Sequence, residues 1–436
     1  LFKEVREEKG ETTFVGYNSL ETNSIVLALF QDGKKVESAA AGTEVELILD
    51  VTPFYAEAGG QVSDRGQITG PGLIVEIEEV SKPVENLFVH RGKVVKGVLK
   101  EYEPVTAQVD RRRRLAICRN HSATHLLHKA LKVVLGNHVN QAGSLVEPER
   151  LRFDFTHYAA VSQAELKEIE NTVNRAVMAN LPVEVLETSL EEARTMGAEA
   201  LFGEKYGERV RVVKMGDFSM ELCGGTHLRS TAEIGLFKLT GESSIGAGLR
   251  RVEAVTGEGA LSYIEAKEEQ LAGIARLVKA APQEVMHRVE SLLKSIKDLE
   301  AENEALQARL ARYQVNDLLD RVKTVKGVKV LAGRAEAPDM DSLRGMVDLL
   351  RDKIGSGVIV LGSGNAAGGK VNLVAAVTKD LLNKGLHAGK LVKELSATIG
   401  GGGGGRPDLA QAGGKDPSRL DEALEQALEV VENQLK

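Results

Sequence analysis

The sequence predicts a multidomain α+β protein, and changes of pattern along its 436 residues define four regions. Residues 1–105 contain short apolar runs with alternating polar residues, separated by turns rich in Gly, Asp and Pro. Residues 106–260 mix helical periodicity with short strands, and residues 261–325 are helical almost throughout. Residues 326–436 return to buried strands with helices between them. We therefore expect a β domain, an α+β domain, a long helical connector and a C-terminal α/β globular domain.

The first region is predicted to be a small β-barrel or sandwich. Its runs SIVLALF, EVELILDV and LIVEIEEV have the composition of half-buried strands. Among them lies FYAEAGGQVSDRG, residues 54–66. The paired Gly59 and Gly60 can form a hairpin turn, or can let a strand edge approach a ligand closely. Both glycines are therefore candidate substrate-binding residues.

The second region contains two pairs of metal-binding residue types. His121 and His125 stand four apart on a predicted amphipathic helix, so their side chains share one face. Cys223 and His227 are also four apart, in a segment whose glycines favour a tight turn. Three nitrogens and one sulfur suit tetrahedral zinc better than calcium, magnesium or an iron–sulfur cluster. These four residues are the predicted Zn²⁺ ligands.

Composition restricts the class of protein. Apolar residues make up 42% of the chain, yet no run of eighteen apolar residues and no signal segment occurs. We expect a soluble, cytoplasmic protein with no membrane partner. Two cysteines cannot form a disulfide framework, and Cys118 is predicted to be a buried apolar residue. The chain begins with Leu rather than Met, and we expect that an N-terminal portion is missing.

Charge argues against a strongly basic nucleic-acid binder. The net charge is −7, and the surplus acid lies in residues 1–103, with 11 Lys+Arg against 18 Asp+Glu. The cluster RRRR at 111–114, just before the first histidine pair, is a local exception. It predicts either RNA contact or a solvated helix start.

The connector contains a heptad pattern. Apolar residues recur at alternating spacings of three and four, with Asn303 at an a position and Leu299 and Leu306 at d positions. This arrangement fixes register in two-stranded coiled coils. Pro282 separates the heptads from an earlier helix, so an intramolecular helical hairpin is an equal alternative to a dimerising coil.

The fourth region ends in a glycine-rich motif, IGGGGGGRPDLAQAGG, residues 399–414. Six consecutive glycines are not expected inside a regular element. We predict a loop that exposes backbone N–H groups to an anion such as phosphate or RNA backbone. A flexible linker is the alternative.

Six motifs, taken in chain order, resemble the C-terminal half of the alanyl-tRNA synthetase family. They are FYAEAGGQ at 54–61, HSATH at 121–125, HVNQAGSLV at 138–146, CGGTH at 223–227, SSIGAGLRRVEAV at 243–255 and GGGGGGRPDLAQAGG at 400–414. HSATH with CGGTH also occurs in the editing domain of threonyl-tRNA synthetase and in free-standing alanyl editing proteins. The glycine motif together with the heptad helix favours the full synthetase.

This resemblance implies a β-barrel over 1–105, a zinc-dependent editing domain over 106–260, a helical connector over 261–325 and a tRNA-binding and dimerisation domain over 326–436. The family's editing activity hydrolyses tRNA(Ala) that is wrongly charged with serine or glycine. The aminoacylation domain, which uses ATP to attach alanine, precedes this region in the family. We expect no counterpart of it here, so the chain should not charge tRNA. A homodimer through the C-terminal region occurs in some members.

Further site residues follow from the motifs. Gln141, at a position implicated in editing in the family, and Thr124 are candidates to bond the serine hydroxyl. Arg250 and Arg251 could contact the terminal adenosine or a phosphate, or could pair with Glu253. The predicted tRNA-binding residues of the C-terminal motif are Gly402, Gly403, Arg406 and Asp408.

Two other functions are weighed against editing. A non-catalytic, zinc-stabilised tRNA-binding module needs only the four ligands, and four protein ligands do resemble a structural zinc site. A phosphoesterase requires Asp-His-His metal motifs, which the sequence lacks. No acidic residue accompanies HSATH as in the HExxH motif, so a metalloprotease is also disfavoured.

Overall fold

The computed structural model describes residues 2–200, 207–365 and 369–435. The chain forms two compact units, Leu1–Ile274 and Ala275–Lys436, and each is described by itself. Within the described residues, no helix combines the length and the apolar character needed to cross a membrane.

The first part of unit 1 is a β domain. Its elements are α1 (Phe2–Lys9), β1 (Thr13–Phe14), β2 (Glu21–Gln31), β3 (Lys34–Val36), β4 (Ser38–Ala40), β5 (Glu44–Leu49), β6 (Val51–Thr52), β7 (Gly66–Gly70), β8 (Leu73–Val84), β9 (Leu87–Lys96), β10 (Val98–Lys100) and β11 (Pro104–Val109). The main sheet runs β11-β7-β8-β9-β5-β2, and β11 also pairs with β2. Six strands therefore close into a barrel, as the resemblance implied.

The second part of unit 1 is an α+β domain. Its elements are α2 (Arg111–Leu135), β12 (Gln141–Val146), β13 (Leu151–Thr156), α3 (Gln163–Met178), β14 (Val183–Ser189), α4 (Leu190–Thr195), β15 (Arg209–Met215), β16 (Ser219–Leu222), β17 (Phe237–Gly246), β18 (Leu249–Thr256) and α5 (Gly257–Val278), of which residues 275–278 belong to unit 2. Two antiparallel sheets form, β12-β13-β18-β17 and β14-β15-β16.

Helix α2 is the central element of this domain. Asp110 caps its first turn by accepting a hydrogen bond from the Arg113 backbone N–H. One stripe of the helix, including Leu126, Leu127 and Leu131, packs into the apolar core between the sheets. Burial of this stripe fixes the helix, and with it the direction in which its histidines point.

The barrel is joined to the α+β domain by buried polar contacts. The guanidinium of Arg114 donates to both carboxylate oxygens of Asp64, to Gly16 O at 2.6 Å and to Pro53 O at 2.9 Å. Residues 60–62 also pair with the end of β12, through Val146 N–H to Gly60 O at 2.7 Å and Val62 N–H to Val146 O at 3.1 Å. These bonds hold the 54–66 segment of the barrel against the α+β domain.

Unit 2 contains one six-stranded sheet, of order β19-β20-β21-β22-β24-β23, with helices on both faces. Val358 and Val360 pack against the α9 and α10 side, whereas Ile359 and Leu361 pack against the α6 and α7 side. This alternation produces three layers, as expected for buried strands between helices. The elements are α6 (Val285–Leu319), β19 (Lys323–Val325), β20 (Val328–Arg334), α7 (Met340–Ile354), β21 (Val358–Asn365), β22 (Lys370–Val377), α8 (Lys379–Leu382), α9 (Ala388–Thr398), β23 (Gly402–Gly405), β24 (Leu409–Gly414) and α10 (Leu420–Gln434).

The predicted heptads lie on α6, a helix of 35 residues. Val315 and Leu318, near its end, are buried in the unit 2 core. Leu299 and Leu306 are 64% and 52% exposed. The helical hairpin and the dimerising coil both stay predictions.

The prediction that the glycine run is a loop is wrong. Gly402–Gly405 form the edge strand β23, which pairs with β24. A Cβ at Gly403 would lie 2.3 Å from Ala412 Cβ, and one at Gly405 would lie 2.6 Å from Ala410 Cα. At these two positions the neighbouring strand approaches too closely for a side chain, whereas a Cβ at Gly402 or Gly404 would meet nothing within 4 Å.

Candidate metal centre and cavity

The four predicted metal ligands converge in the α+β domain. One ligand atom from each of His121, His125, Cys223 and His227 lies within 4.8 Å of the others. The two helical histidines lie on α2, one turn apart. Cys223 directly follows β16, and the Gly-Gly-Thr segment then returns the chain so that His227 faces the same point.

The spacing of these atoms fits a zinc ion. Cys223 Sγ lies 3.4 Å from His121 Nε2 and 3.3 Å from His227 Nε2. Tetrahedral zinc with ordinary Zn–N and Zn–S bonds separates nitrogen and sulfur ligands by about 3.5 Å. When bound, Zn²⁺ would supply a positive charge that can polarise a carbonyl or activate a water.

The protonation states of Cys223 and His227 also suit a cation. At His125, by contrast, burial is outweighed by interaction with Glu221 and Cys223, which raises the pKa of the imidazole to about 10, so a metal would displace a proton there. Burial opposes ionisation of the Cys223 thiol, but interaction with His121, His227 and His125 outweighs it and holds the thiol pKa well below its usual range. Burial and His121 lower the pKa of His227 to about 3, so its imidazole is neutral at pH 7. A thiolate and a neutral imidazole are the protonation states that bind metal.

The second glycine of CGGTH makes this arrangement possible. A Cβ at Gly225 would lie 2.0 Å from His121 Cε1, which is closer than any side chain can approach. At Gly224 nothing lies within 4 Å of such an atom. The imidazole of His121 therefore needs glycine at position 225 but not at position 224.

Each metal-facing imidazole is held by a second group through its other nitrogen. His121 Nδ1 lies 2.7 Å from Gln61 Oε1, and His227 Nδ1 lies 3.2 Å from Ser122 Oγ. His125 Nδ1 lies 2.8 Å from a Glu221 carboxylate oxygen. Such outer contacts orient a histidine and raise its basicity towards a metal.

Sequence reasoning did not find these outer residues, although two signals were present. Gln61 ends the FYAEAGGQ motif, and Glu221 precedes CGGTH by two residues. Glu221 also contacts His128 Nδ1 at 2.9 Å, and interaction with His125 and His128 outweighs burial and lowers the pKa of its carboxyl. His128 is thus also buried beside the centre.

A cavity of about 670 Å³ opens onto the metal centre. Thr124, Gln141 and Gly59, all predicted site residues, line it together with His121, His125 and Cys223. The Thr124 hydroxyl donates to Asn120 O at 2.8 Å, so its oxygen keeps lone pairs free to accept. The barrel contributes the opposite wall, which includes Phe14, Tyr17, Tyr55, Lys82 and Phe88.

Gly60 does not line this cavity but positions the segment that does. A Cβ at Gly60 would lie 2.4 Å from Ser144 O, so the glycine lets the barrel approach β12. Tyr17 makes a second contact between the barrel and the α+β domain, since its hydroxyl donates to Gly224 O at 2.6 Å. The Arg211 guanidinium lies 4.2 Å from the Tyr17 ring centroid.

Arg250 and Arg251 are absent from the described residues that line the cavity. Arg250 donates to Glu242 at 2.5 Å, and Arg251 makes a bidentate pair with Asp154 at 2.7 and 2.8 Å. The alternative partner Glu253 pairs instead with Arg150. The predicted substrate-binding role of both arginines stays a prediction.

The predicted tRNA-binding residues lie together in unit 2. Gly402 and Gly403 belong to the edge strand β23, and Arg406 follows it in the turn. Arg406 pairs with Asp408 at 3.3 Å and its side chain remains 74% exposed.

Family models match three stretches of the chain. Residues 1–113 match class II (A) tRNA synthetases, residues 210–253 match the second additional domain of threonyl and alanyl tRNA synthetases, and residues 327–433 match the DHHA1 domain. The chain is 76% identical over its whole length to an alanine–tRNA ligase of Pelotomaculum thermopropionicum, and 63% identical to one of Desulforamulus reducens. The chain belongs to the alanyl-tRNA synthetase family.

The chain spans about half the length of these relatives, covering 50% and 49% of them. The match of residues 1–113 to a class II synthetase model qualifies the expectation that nothing here corresponds to the synthetic half of the family. Among solved structures, the C-Ala domain of Aquifex aeolicus alanyl-tRNA synthetase is 32% identical, with 26% of this chain and 97% of that domain covered and a TM-score of 0.24.

Proposed function

We propose that the chain hydrolyses the ester of tRNA(Ala) mischarged with serine or glycine, and that the cavity beside the metal centre is the site. The observation that carries this proposal is that Thr124 and Gln141 line the same cavity as three of the four metal ligands, His121, His125 and Cys223. We infer that the reaction takes place in the cytoplasm, where the substrate is made.

The need for a second site follows from the size of the amino acids. A pocket that accepts alanine cannot strongly exclude glycine, which is smaller, or serine, which adds only a hydroxyl. A site that bonds the serine hydroxyl rejects alanine, because its polar atoms are left unpaired when alanine enters. Glycine is small enough to enter this second site without a hydroxyl contact.

Thr124 and Gln141 can provide that hydroxyl site. Since the Thr124 hydrogen is committed to Asn120 O, its oxygen accepts from the substrate hydroxyl. The amide of Gln141 can donate to the same hydroxyl. The hydrogen and the oxygen of the serine hydroxyl then each have a hydrogen-bond partner. Alanine has no hydroxyl, so it would leave both Thr124 and Gln141 without that partner.

His121, His125, Cys223 and His227 hold Zn²⁺ in this proposal. Their closed set of four suits either a metal that positions the ester or one that exchanges a ligand during reaction. The barrel residues that line the cavity hold the terminal nucleoside in this proposal.

Unit 2 binds the tRNA in this proposal. The exposed Arg406 at the end of the glycine strand supplies a charge for phosphate, and Gly402 and Gly403 allow the RNA backbone to approach β23 closely. A homodimer through unit 2, which includes α6, would double this surface.

The test is deacylation of Ser-, Gly- and Ala-tRNA(Ala) by the chain and by two variants. The unmodified chain should hydrolyse the seryl and glycyl esters, and Cys223→Ala should reduce both to background. Thr124→Val should slow the seryl ester roughly 10- to 100-fold and leave the glycyl ester unchanged, because only serine uses the hydroxyl.

Thr195→Val is the matched control, since Thr195 makes the same backbone bond one turn back in an exposed helix. Equal slowing of both esters by Thr124→Val would assign Thr124 a structural role. If the unmodified chain hydrolyses every ester only at the background rate, the proposed hydrolase activity is wrong. The zinc-stabilised tRNA-binding module is then the remaining function.

A further inference from the structure

The barrel supplies a residue to the metal centre. Gln61 is completely buried and lies on the barrel segment that pairs with Val146 at the end of β12. Its side chain reaches two parts of the centre, His121 on α2 and Thr226 in the CGGTH turn. These residues are 60 and 165 positions away in the sequence.

The orientation of the Gln61 amide is fixed by one backbone group. The Thr226 backbone N–H can only donate, and it lies 2.9 Å from Gln61 Oε1. That oxygen must therefore face Thr226 N. The Gln61 Nε2 group then donates to Thr226 Oγ1 at 2.9 Å.

This orientation in turn fixes the proton on His121. Gln61 Oε1 lies 2.7 Å from His121 Nδ1, and an amide oxygen can only accept. His121 must carry its hydrogen on Nδ1, which leaves the Nε2 lone pair directed to the side of Cys223 Sγ. Nε2 is the nitrogen that a metal beside this thiolate requires.

We propose that Gln61 is a positioning residue through which the barrel sets the tautomer of the metal ligand His121 and ties the CGGTH turn to it. This inference rests on the proposed zinc site. It does not depend on whether the chain hydrolyses an ester. It means that the metal centre is complete only when the barrel is seated on the α+β domain.

The test is zinc affinity, measured by competition with a chromophoric chelator on the full chain. Gln61→Met keeps the volume but removes both hydrogen-bonding groups, and should weaken zinc binding roughly 10- to 100-fold. Gln61→Glu keeps an acceptor for both His121 Nδ1–H and Thr226 N–H, and should recover most of that loss. Gln67→Met, at an exposed barrel position, should bind zinc as the unmodified chain does.

A second readout separates positioning from simple misfolding. In the Co²⁺-loaded chain, Gln61→Met should shift the visible absorption bands that report ligand geometry, while hydrogen exchange of the barrel strands stays unchanged. Equal zinc affinity for Gln61→Met and Gln67→Met would overturn the proposal. So would an affinity loss that Gln61→Glu fails to recover. Zinc binding with no deacylation would instead count only against the proposed hydrolase.

Discussion

The two units bury different kinds of side chain. Among the described residues, unit 1 buries histidines, carboxylates, an arginine and amides, whereas the buried polar residues of unit 2 are the hydroxyl residues Ser363, Thr378 and Ser396. Burying ionisable groups is costly unless they are paired, and in unit 1 nearly all of them are hydrogen-bonded to one another. The difference indicates that unit 1 is less stable than an apolar core would make it, because its buried polar groups form a chemical site. Unit 2 has an apolar core, and its functional residues are expected on its surface.

The same substitution at two neighbouring glycines of unit 1 provides the sharpest test. Gly225→Ala would place a Cβ 2.0 Å from His121 Cε1, so we expect roughly a 100-fold loss of zinc affinity, about 2.7 kcal/mol. Gly224→Ala meets nothing within 4 Å and should change affinity by no more than about 2-fold. Chelator competition measures both, and similar values for the two variants would contradict the described packing.

Acid should destabilise unit 1 more than unit 2. Burial lowers the pKa of His90 to about 4, against 6.5 for an unperturbed histidine. Between these values the unfolded chain binds more protons, so the free energy of unfolding falls as pH decreases. Between pH 7.5 and pH 5, the titration of His90 should lower the free energy of unfolding by about 2 kcal/mol.

His90→Gln isolates this contribution, because an amide can replace the contacts with Thr52 Oγ1 and Leu47 O without titrating. Hydrogen exchange of the β5 and β9 amides at both pH values provides the measurement. A pH-induced loss of the same size in His90→Gln would assign the effect to other groups.

The smallest effect is expected in the glycine strand. Gly403→Ala would bring a Cβ within 2.3 Å of Ala412 Cβ and should destabilise unit 2 by roughly 1 kcal/mol, since an edge strand can shift to relieve the contact. Gly404→Ala meets nothing within 4 Å and should leave unit 2 unchanged or slightly more stable. Urea unfolding followed by exchange in β24 distinguishes them, and neither variant should alter zinc affinity.

Local patterns allowed the sequence to predict much of this structure. Alternating apolar runs located the barrel strands β2, β5 and β8, buried apolar runs located β20, β21 and β22 of unit 2, and the heptad pattern located helix α6. The spacing of His121, His125, Cys223 and His227 identified four residues that do converge, because each pair is set by a single turn of helix or loop.

What the sequence could not predict depends on contacts between distant segments. Gln61 and Glu221 meet the histidines only after the barrel and β16 pack on α2, and no spacing encodes that. The glycine run was misassigned for the same reason. A glycine in the sequence can indicate that another group packs directly against the backbone at that position. Only the fold shows that this group is the His121 imidazole at Gly225 and the neighbouring strand at Gly403.

The pairing of Gly60 with Val146 has a consequence for recombination between relatives. A crossover near residue 105 would join the barrel of one parent to the α+β domain of another, and so set one parent's Gly60 and Gln61 against the other's Ser144 and His121. A crossover after β18 inherits both sides of this contact from the same parent. Hybrid synthetases should therefore exchange the barrel and the α+β domain as a single module.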